Sequence, residues 1–179
     1  MSRFATVGFM LALLQGGMSL QNSTPSSPGR VQFDPVETPV VRAGASVPVD
    51  FTFHIQPGFH VNSNQPGSPE LRATELRLSP PTDLIIAKLR YPAGEWTAFP
   101  FDPENKLSVY SGTVTINALL MAQSAASPGS YTVHGDLTYQ ACDNRACYPP
   151  KKLPIEFNVK VGSKPRVVHR RTPQSPHIH

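Results

Sequence analysis

The sequence predicts an all-β fold: an antiparallel immunoglobulin-like β-sandwich with a cysteine pair on the connection before the last strand. Three observations predict it. Several short segments alternate apolar and polar residues with a period of two. Pro/Gly-rich turns punctuate them at the spacing of a sandwich. Proline makes up 20 of 179 residues, about twice the usual share, and interior prolines break helices. After Ser19 no segment carries sustained helical periodicity with caps.

The elements follow in order. Residues 1–19 hold one basic residue, Arg3, then the apolar stretch Phe4–Leu14 and the small residues Gly16, Gly17 and Ser19. That order reads as a secretory signal peptide. The run is short for a membrane span; a buried or anchoring helix is the alternative. No span is expected in the mature chain, and export places it in the periplasm or outside the cell, where disulfides persist. Residues 20–30 form a Ser/Pro/Gly linker. Its Asn22-Ser23-Thr24 matches a glycosylation sequon by chance more readily than by design.

The sandwich domain is expected over residues 31–162. Val47, Val49, Phe51, Phe53 and Ile55 alternate with polar partners and Pro48. Leu153, Ile155, Phe157, Val159 and Val161 do the same, as do Tyr131, Val133, Leu137 and Tyr139 around Gly135. Shorter strands are expected at Val31–Phe33, Leu71–Leu78, Leu84–Tyr91 and Ser108–Leu119, for seven or eight in all. His60–Glu70 and Pro92–Lys106 read as irregular. The second carries Trp96, Phe99 and Phe101, which either cap the core or form a lid or binding surface. Residues 163–179 read as a disordered basic tail; its His169, His177 and His179 are solvated rather than metal-binding.

Composition excludes several functions. Hydrophobic content of 39% with 16% charged is too apolar for full disorder. Two cysteines are too few for a disulfide-dense mini-protein or a four-cysteine zinc site. The net charge of +4 suggests nucleic acid, but Leu20–Val159 holds 10 Lys and Arg against 12 Asp and Glu, a net of −2. The surplus sits in Arg3, Lys160 and the tail, which is not the footprint of a nucleic-acid-binding domain. No cofactor or metal is called for.

The informative stretch is Tyr139-Gln140-Ala141-Cys142-Asp143-Asn144-Arg145-Ala146-Cys147-Tyr148-Pro149-Pro150. An inter-sheet disulfide of the immunoglobulin kind needs cysteines on two separated strands, so this pair is a different device. It matches neither a C-x-x-C redox motif nor a haem-attachment motif. One reading is a structural clip, which in the loop-entropy view contributes roughly 2 kcal/mol. The other is a redox-active pair. Arg145, Lys151 and Lys152 favour a thiolate there, while Asp143 opposes it. Local chemistry leaves both open.

This stretch, followed by Leu153-Pro154-Ile155-Glu156-Phe157, resembles the N-terminal periplasmic domain of the thiol:disulfide interchange protein DsbD. Gly58-Phe59-His60-Val61-Asn62-Ser63-Asn64 resembles a second segment of that domain. Tyr91–Gly94 through Leu107–Gly112 resembles the region that holds its cap loop. The resemblance spans roughly Val31 to Val161. It implies an immunoglobulin-like sandwich whose cysteines shuttle electrons, with protein-disulfide reductase activity and a place in routes such as cytochrome maturation. It implies Cys147 as the attacking thiol and Cys142 as the resolving one. It implies that an aromatic ring covers the pair, with Phe99 or Phe101 as candidates. Phe59, His60, Asn62, Tyr139 and Tyr148 are the further cap or partner-binding candidates. The sequence departs from the pattern in a shorter inter-cysteine loop and in lacking tyrosines near His60 and Asn62. An imidazole at that place lowers a thiol pKa or moves protons, unless it is simply a surface histidine. Family members continue into a membrane domain and a thioredoxin-like domain. The expected partners are therefore thioredoxin-like periplasmic proteins and a membrane thiol reductant supplied in trans. Two other readings stand beside this one: a non-enzymatic immunoglobulin-like protein-binding module with a structural disulfide, presenting Trp96, Phe99 and Phe101, and a metal chaperone using Cys142, Cys147 and His60.

Overall fold

A computed structural model describes residues Gly29–Ser163. The expected signal peptide, most of the linker and the basic tail lie outside the described residues. Among the described residues no helix is long and apolar enough to cross a membrane.

The strands are β1 (Val31–Phe33), β2 (Val40–Arg42), β3 (Ser46–Ile55), β4 (His60–Asn62), β5 (Glu75–Ser79), β6 (Leu84–Arg90), β7 (Glu95–Phe99), β8 (Asp102–Tyr110), β9 (Thr113–Ala122), β10 (Gly129–Tyr139), β11 (Ala141–Cys142) and β12 (Lys151–Gly162). They form three four-stranded sheets, ordered β1-β3-β9-β6, β2-β12-β10-β5 and β11-β4-β8-β7. Neighbours run antiparallel except β2 and β12, which are parallel.

The first two sheets bury the faces that the alternation assigns. Along β3, Val49, Phe51, Phe53 and Ile55 are buried, and the residues between them are not. Along β12, Ile155, Phe157, Val159 and Val161 are buried. Along β9, Val114, Ile116, Ala118, Leu120 and Ala122 are buried. Phe51 and Phe157 meet edge-on across the core with centroids 5.3 Å apart, the geometry aromatic quadrupoles prefer. Each large side chain fully buried in this way contributes about 1.5–3 kcal/mol. Gly135 lies where β10 and β5 approach closely: a Cβ there would collide with the Arg77 carbonyl oxygen and the Leu78 side chain.

The third sheet extends one end of the sandwich. β4 follows shortly after β3, β8 ends shortly before β9, and β11 follows directly on β10. Its strands therefore gather at the end where β3 and β10 finish and β9 and β12 begin.

The structure departs from the expected strand list in several places, each with a local cause. β2, β4 and β11 are only two or three residues long, too short to show a period, and β4 opens the stretch His60–Glu70 that was expected to be irregular. Ser108–Leu119 divides into β8 and β9, because Gly112 turns the chain with φ 62°, a conformation glycine adopts at little cost. β5 begins only at Glu75, since the residues before it bond to β4 and its neighbours. Pro92–Lys106, expected to be irregular, contains all of β7 and the start of β8. The register pairs Thr97 with Leu107 and Ala98 with Lys106, then shifts at Phe99. Pro103 is tolerated in β8 because β4 pairs only with Val109 and Tyr110, leaving that edge free of ladder bonds.

Candidate functional site

The cysteine loop is built by backbone pairing on both sides. Ala141 pairs with Val61 and Cys142 with His60 across β11 and β4. Asp143 then turns the chain. Its Oδ1 accepts the N–H groups of Arg145 (2.7 Å) and Ala146 (3.0 Å), the short-range bonding for which aspartate is favoured in turns. The Asp143 N–H donates to the Ala146 carbonyl at 3.0 Å, and the Tyr148 N–H donates to the Ala141 carbonyl at 2.8 Å. Cys147 is thereby set opposite Cys142 as an isolated antiparallel bridge, and the two are joined by a disulfide with Cα atoms 4.0 Å apart. Pro149 and Pro150, which have no N–H to donate, end this pairing before β12 begins. The two sulfur-bearing residues differ in access: Cys142 is 0% exposed, whereas Cys147 is half-buried.

Two aromatic groups flank the pair. On the β4 side, the His60 ring lies edge-on to Phe99 at 5.1 Å, and Phe101 stacks on Phe99 at 5.3 Å. Phe99 is buried and Phe101 is 39% exposed. The β7–β8 hairpin thus brings both candidate capping rings to the site, with Phe99 against the partner residue of Cys142 and Phe101 outside it. On the Cys147 side, Phe59 and Tyr148 meet at 6.1 Å. The Arg30 guanidinium lies 3.8 Å from the Tyr148 ring centroid and 4.9 Å from that of Phe59.

Asn62 and Tyr139 sit beneath the site rather than on its surface. Asn62 is fully buried, and its Nδ2 donates to the Arg72 carbonyl and to Gln140 Oε1, both at 3.0 Å. The same Gln140 oxygen accepts the Arg72 N–H, and Thr74 Oγ1 donates to the Asn62 carbonyl at 2.5 Å. Asn62 therefore ties β4, the segment before β5, and the β10–β11 junction together. Tyr139 is 3% exposed and belongs to the main core cluster. Trp96, by contrast, lies away from the pair over Gly67, and Phe99 faces inward, so the three aromatics of this hairpin do not form one exposed surface.

The loop carries an electrostatic pattern. The Tyr148 hydroxyl donates to Asp143 Oδ2 at 2.6 Å. That bond, followed by the two loop amides, holds the Asp143 carboxyl below its ordinary pKa, and the same bond raises the Tyr148 phenol. Burial raises the Tyr139 phenol, with the Arg30 charge pulling the other way. Of the cations the sequence offered, Lys152 is drawn 3.6 Å from Asp136 on the sheet, and Lys151 and Arg145 are exposed. His60 Nδ1 and Arg30 Nε are buried without a hydrogen-bond partner among the described residues. Sequence reasoning missed Arg30, Gln140 and Thr74. Arg30 ends what reads as a linker, and nothing local to it points to the cysteines. Among the described residues no group of three His, Cys, Asp or Glu is placed to hold a metal ion.

Comparison with known proteins adds the family. Among solved structures, the chain is similar to the reduced DsbD N-terminal domain of Neisseria meningitidis, with 20% identity over 66% of this chain and 82% of that one, and a TM-score of 0.43. It is similar to the N-terminal periplasmic domain of ScsB from Proteus mirabilis, with 17% identity over 71% of this chain and a TM-score of 0.43, spanning only 44% of the ScsB chain. It is also similar to a type I cohesin from Pseudobacteroides cellulosolvens, with 13% identity over 79% of this chain and 98% of that one, and a TM-score of 0.46. No curated protein sequence matches the chain. The profile of the family described as thiol:disulfide interchange protein DsbD, N-terminal, matches residues 30–158. That match runs from Arg30 through the cysteine loop into β12, and the chain belongs to the DsbD N-terminal domain family, a family of thiol-disulfide exchange.

Proposed function

We propose that this protein is an exported exchange module that relays reducing equivalents between thioredoxin-like proteins through Cys142 and Cys147. The observation that carries this reading is the unequal access of the two cysteines. A partner's thiolate can approach Cys147, while Cys142 is fully buried and paired with His60 of β4, whose ring packs on Phe99. Exchange passes through a mixed disulfide and depends on which sulfur is reachable.

In the accepting step, a thiolate of the donor attacks Cys147 Sγ. The Cys142–Cys147 bond breaks, and Cys142 leaves as a thiolate that takes up a proton. The donor's second thiolate then attacks its own sulfur in the mixed disulfide and releases Cys147 as a thiolate. Two electrons reach the pair, and the donor departs as a disulfide. In the delivering step the roles reverse: the Cys147 thiolate attacks a client disulfide, and Cys142 resolves the mixed species. His60, opposite Cys142 in register, stands where it can exchange the proton that Cys142 gains and loses. Phe99 and Phe101 limit access until a partner displaces them. The donor is a membrane thiol reductant, and the site of action is the periplasm.

The test is trapping. Cys142→Ser is expected to hold a disulfide-linked thioredoxin-like protein through Cys147 in a periplasmic extract, and Cys147→Ser is expected to hold none. The disulfide should be reducible by a thioredoxin-like donor. A potential below about −300 mV, the range of inert structural bridges, would overturn the relay. So would a protein lacking both cysteines that still performs its role in the cell, as a binding module would.

A further inference from the structure

We propose that Arg30 is a positioning residue for the exchange chemistry: its guanidinium, laid across Tyr148 and Phe59, holds the Cys147 segment and lends the positive charge that favours the Cys147 thiolate. The inference rests on the exchange reading of the pair and adds a residue to it.

The anchoring comes first. The Arg30 carbonyl accepts the Gln56 N–H at 2.9 Å, and Val31, the next residue, pairs with Ile55. The side chain therefore starts from a fixed point at the end of the sandwich. Its guanidinium carbon lies 3.8 Å from the centroid of Tyr148, the residue bonded directly to Cys147. Guanidinium groups stack on aromatic faces through their flat, weakly hydrated surface, which a lysine ammonium lacks.

The charge comes second. No carboxylate among the described residues forms an ion pair with Arg30, and its buried Nε–H has no acceptor. The nearby acid, Asp143, has both carboxylate oxygens committed to Tyr148, Arg145 and Ala146. The titratable and charged groups on the elements that build this end of the sandwich are His60 on β4, Tyr139 on β10, Asp143, Arg145 and Tyr148 in the loop, Lys151 at the start of β12, and Arg30 before β1. Among these cations only Arg30 reaches the ring beside Cys147 from another part of the chain. Its field already opposes the rise of the Tyr139 and Tyr148 phenols. When the pair is reduced, the Cys147 thiol loses its proton to water and the guanidinium keeps its own, because arginine stays protonated in proteins. A neighbouring cation then stabilises the anion that attacks.

The experiment reads the thiol without any partner. In the Cys142→Ser protein, the rate of Cys147 alkylation by iodoacetamide is followed against pH with Arg30, Arg30→Lys and Arg30→Met. Arg30→Met is expected to raise the thiol pKa by about one unit and to slow alkylation at neutral pH severalfold. Arg30→Lys keeps the charge and is expected to stay closer to the parent, while its Tyr148 amide exchanges hydrogen faster. An unchanged pKa in Arg30→Met overturns the proposal, as does an equal shift in the Lys and Met variants. If Arg30→Met does not fold, Arg30→Gln is read in the same way. A parent protein that traps no thioredoxin-like partner would sink the relay and leave this pKa comparison intact.

Discussion

Phe51 meets Phe157 in the middle of the sandwich, and Phe59 meets Tyr148 beside Cys147, yet the two aromatic pairs are held on different terms. Phe51 is 0% exposed and is surrounded by Val, Ile, Leu and Phe side chains from the two facing sheets. Nothing polar positions it; volume and water exclusion do. Tyr148 is partly exposed and is positioned by a hydroxyl bond to Asp143, a guanidinium on its face and a backbone bond to Ala141. The first region derives its stability from apolar area, which is insensitive to charge and pH. The second derives its geometry from directional and charged contacts, which can be altered by reduction, protonation or a partner. A domain whose chemistry is exchange needs the rigid region to hold the adjustable one.

The largest expected effect tests whether the regions are separable. Phe51→Ala should cost about 3–5 kcal/mol of stability, measured by urea unfolding of the disulfide-bonded protein. The reduction potential of the pair should stay at the parent value. A potential that moves with stability would show that the two regions act as one unit.

Removing the pair tests the other side. With both cysteines changed to serine, stability should fall by about 2 kcal/mol, as expected for a short closed loop, while exchange is abolished. A much larger loss would make the disulfide a support of the sandwich rather than a part of the site. Asn62→Ala sits between the regions. It leaves the Arg72 carbonyl without its Asn62 donor and removes one of the two bonds to Gln140 Oε1, and should cost about 1–3 kcal/mol. Amide hydrogen exchange should quicken at Asn62, Arg72 and Thr74 before it does in β3 or β9.

The smallest effect is the titration of Asp143. Its folded pKa is lowered, chiefly by the Tyr148 hydroxyl and then by the loop amides. The stabilisation it gives the loop is therefore complete above the ordinary carboxylate range, near pH 4, and is lost as pH falls through the lowered value. Tyr148→Phe removes the largest cause. The Asp143 carboxyl carbon, followed by NMR, should then titrate closer to the ordinary range, with the core resonances unchanged.

Much of this was legible along the chain. The alternation of Val49, Phe51, Phe53 and Ile55, and of Ile155, Phe157, Val159 and Val161, marked a face that burial then confirmed. It was legible because a strand repeats its environment every second residue. The β7–β8 hairpin was not, because Pro100 and Pro103 interrupt its pattern and its pairing closes over a register shift. Asn62 looked like a contact residue because an amide carries no mark of whether it faces solvent or ties buried backbone.

The sequence by itself determined the strand periodicity, the turns at proline and glycine, and the five-residue separation of Cys142 and Cys147 that closes a loop. It also carried the motif by which the family is recognised. These are local properties, set by side-chain spacing and backbone restriction. Only the tertiary structure decided that Cys142 is enclosed and Cys147 is not. Only it decided that His60 stands opposite one cysteine, and that Arg30, just before β1, lies over the residue beside the other. Those arrangements depend on which strands pair and on how a third sheet folds over the end of a sandwich. Contacts between residues so distant in sequence leave no period and no spacing to read.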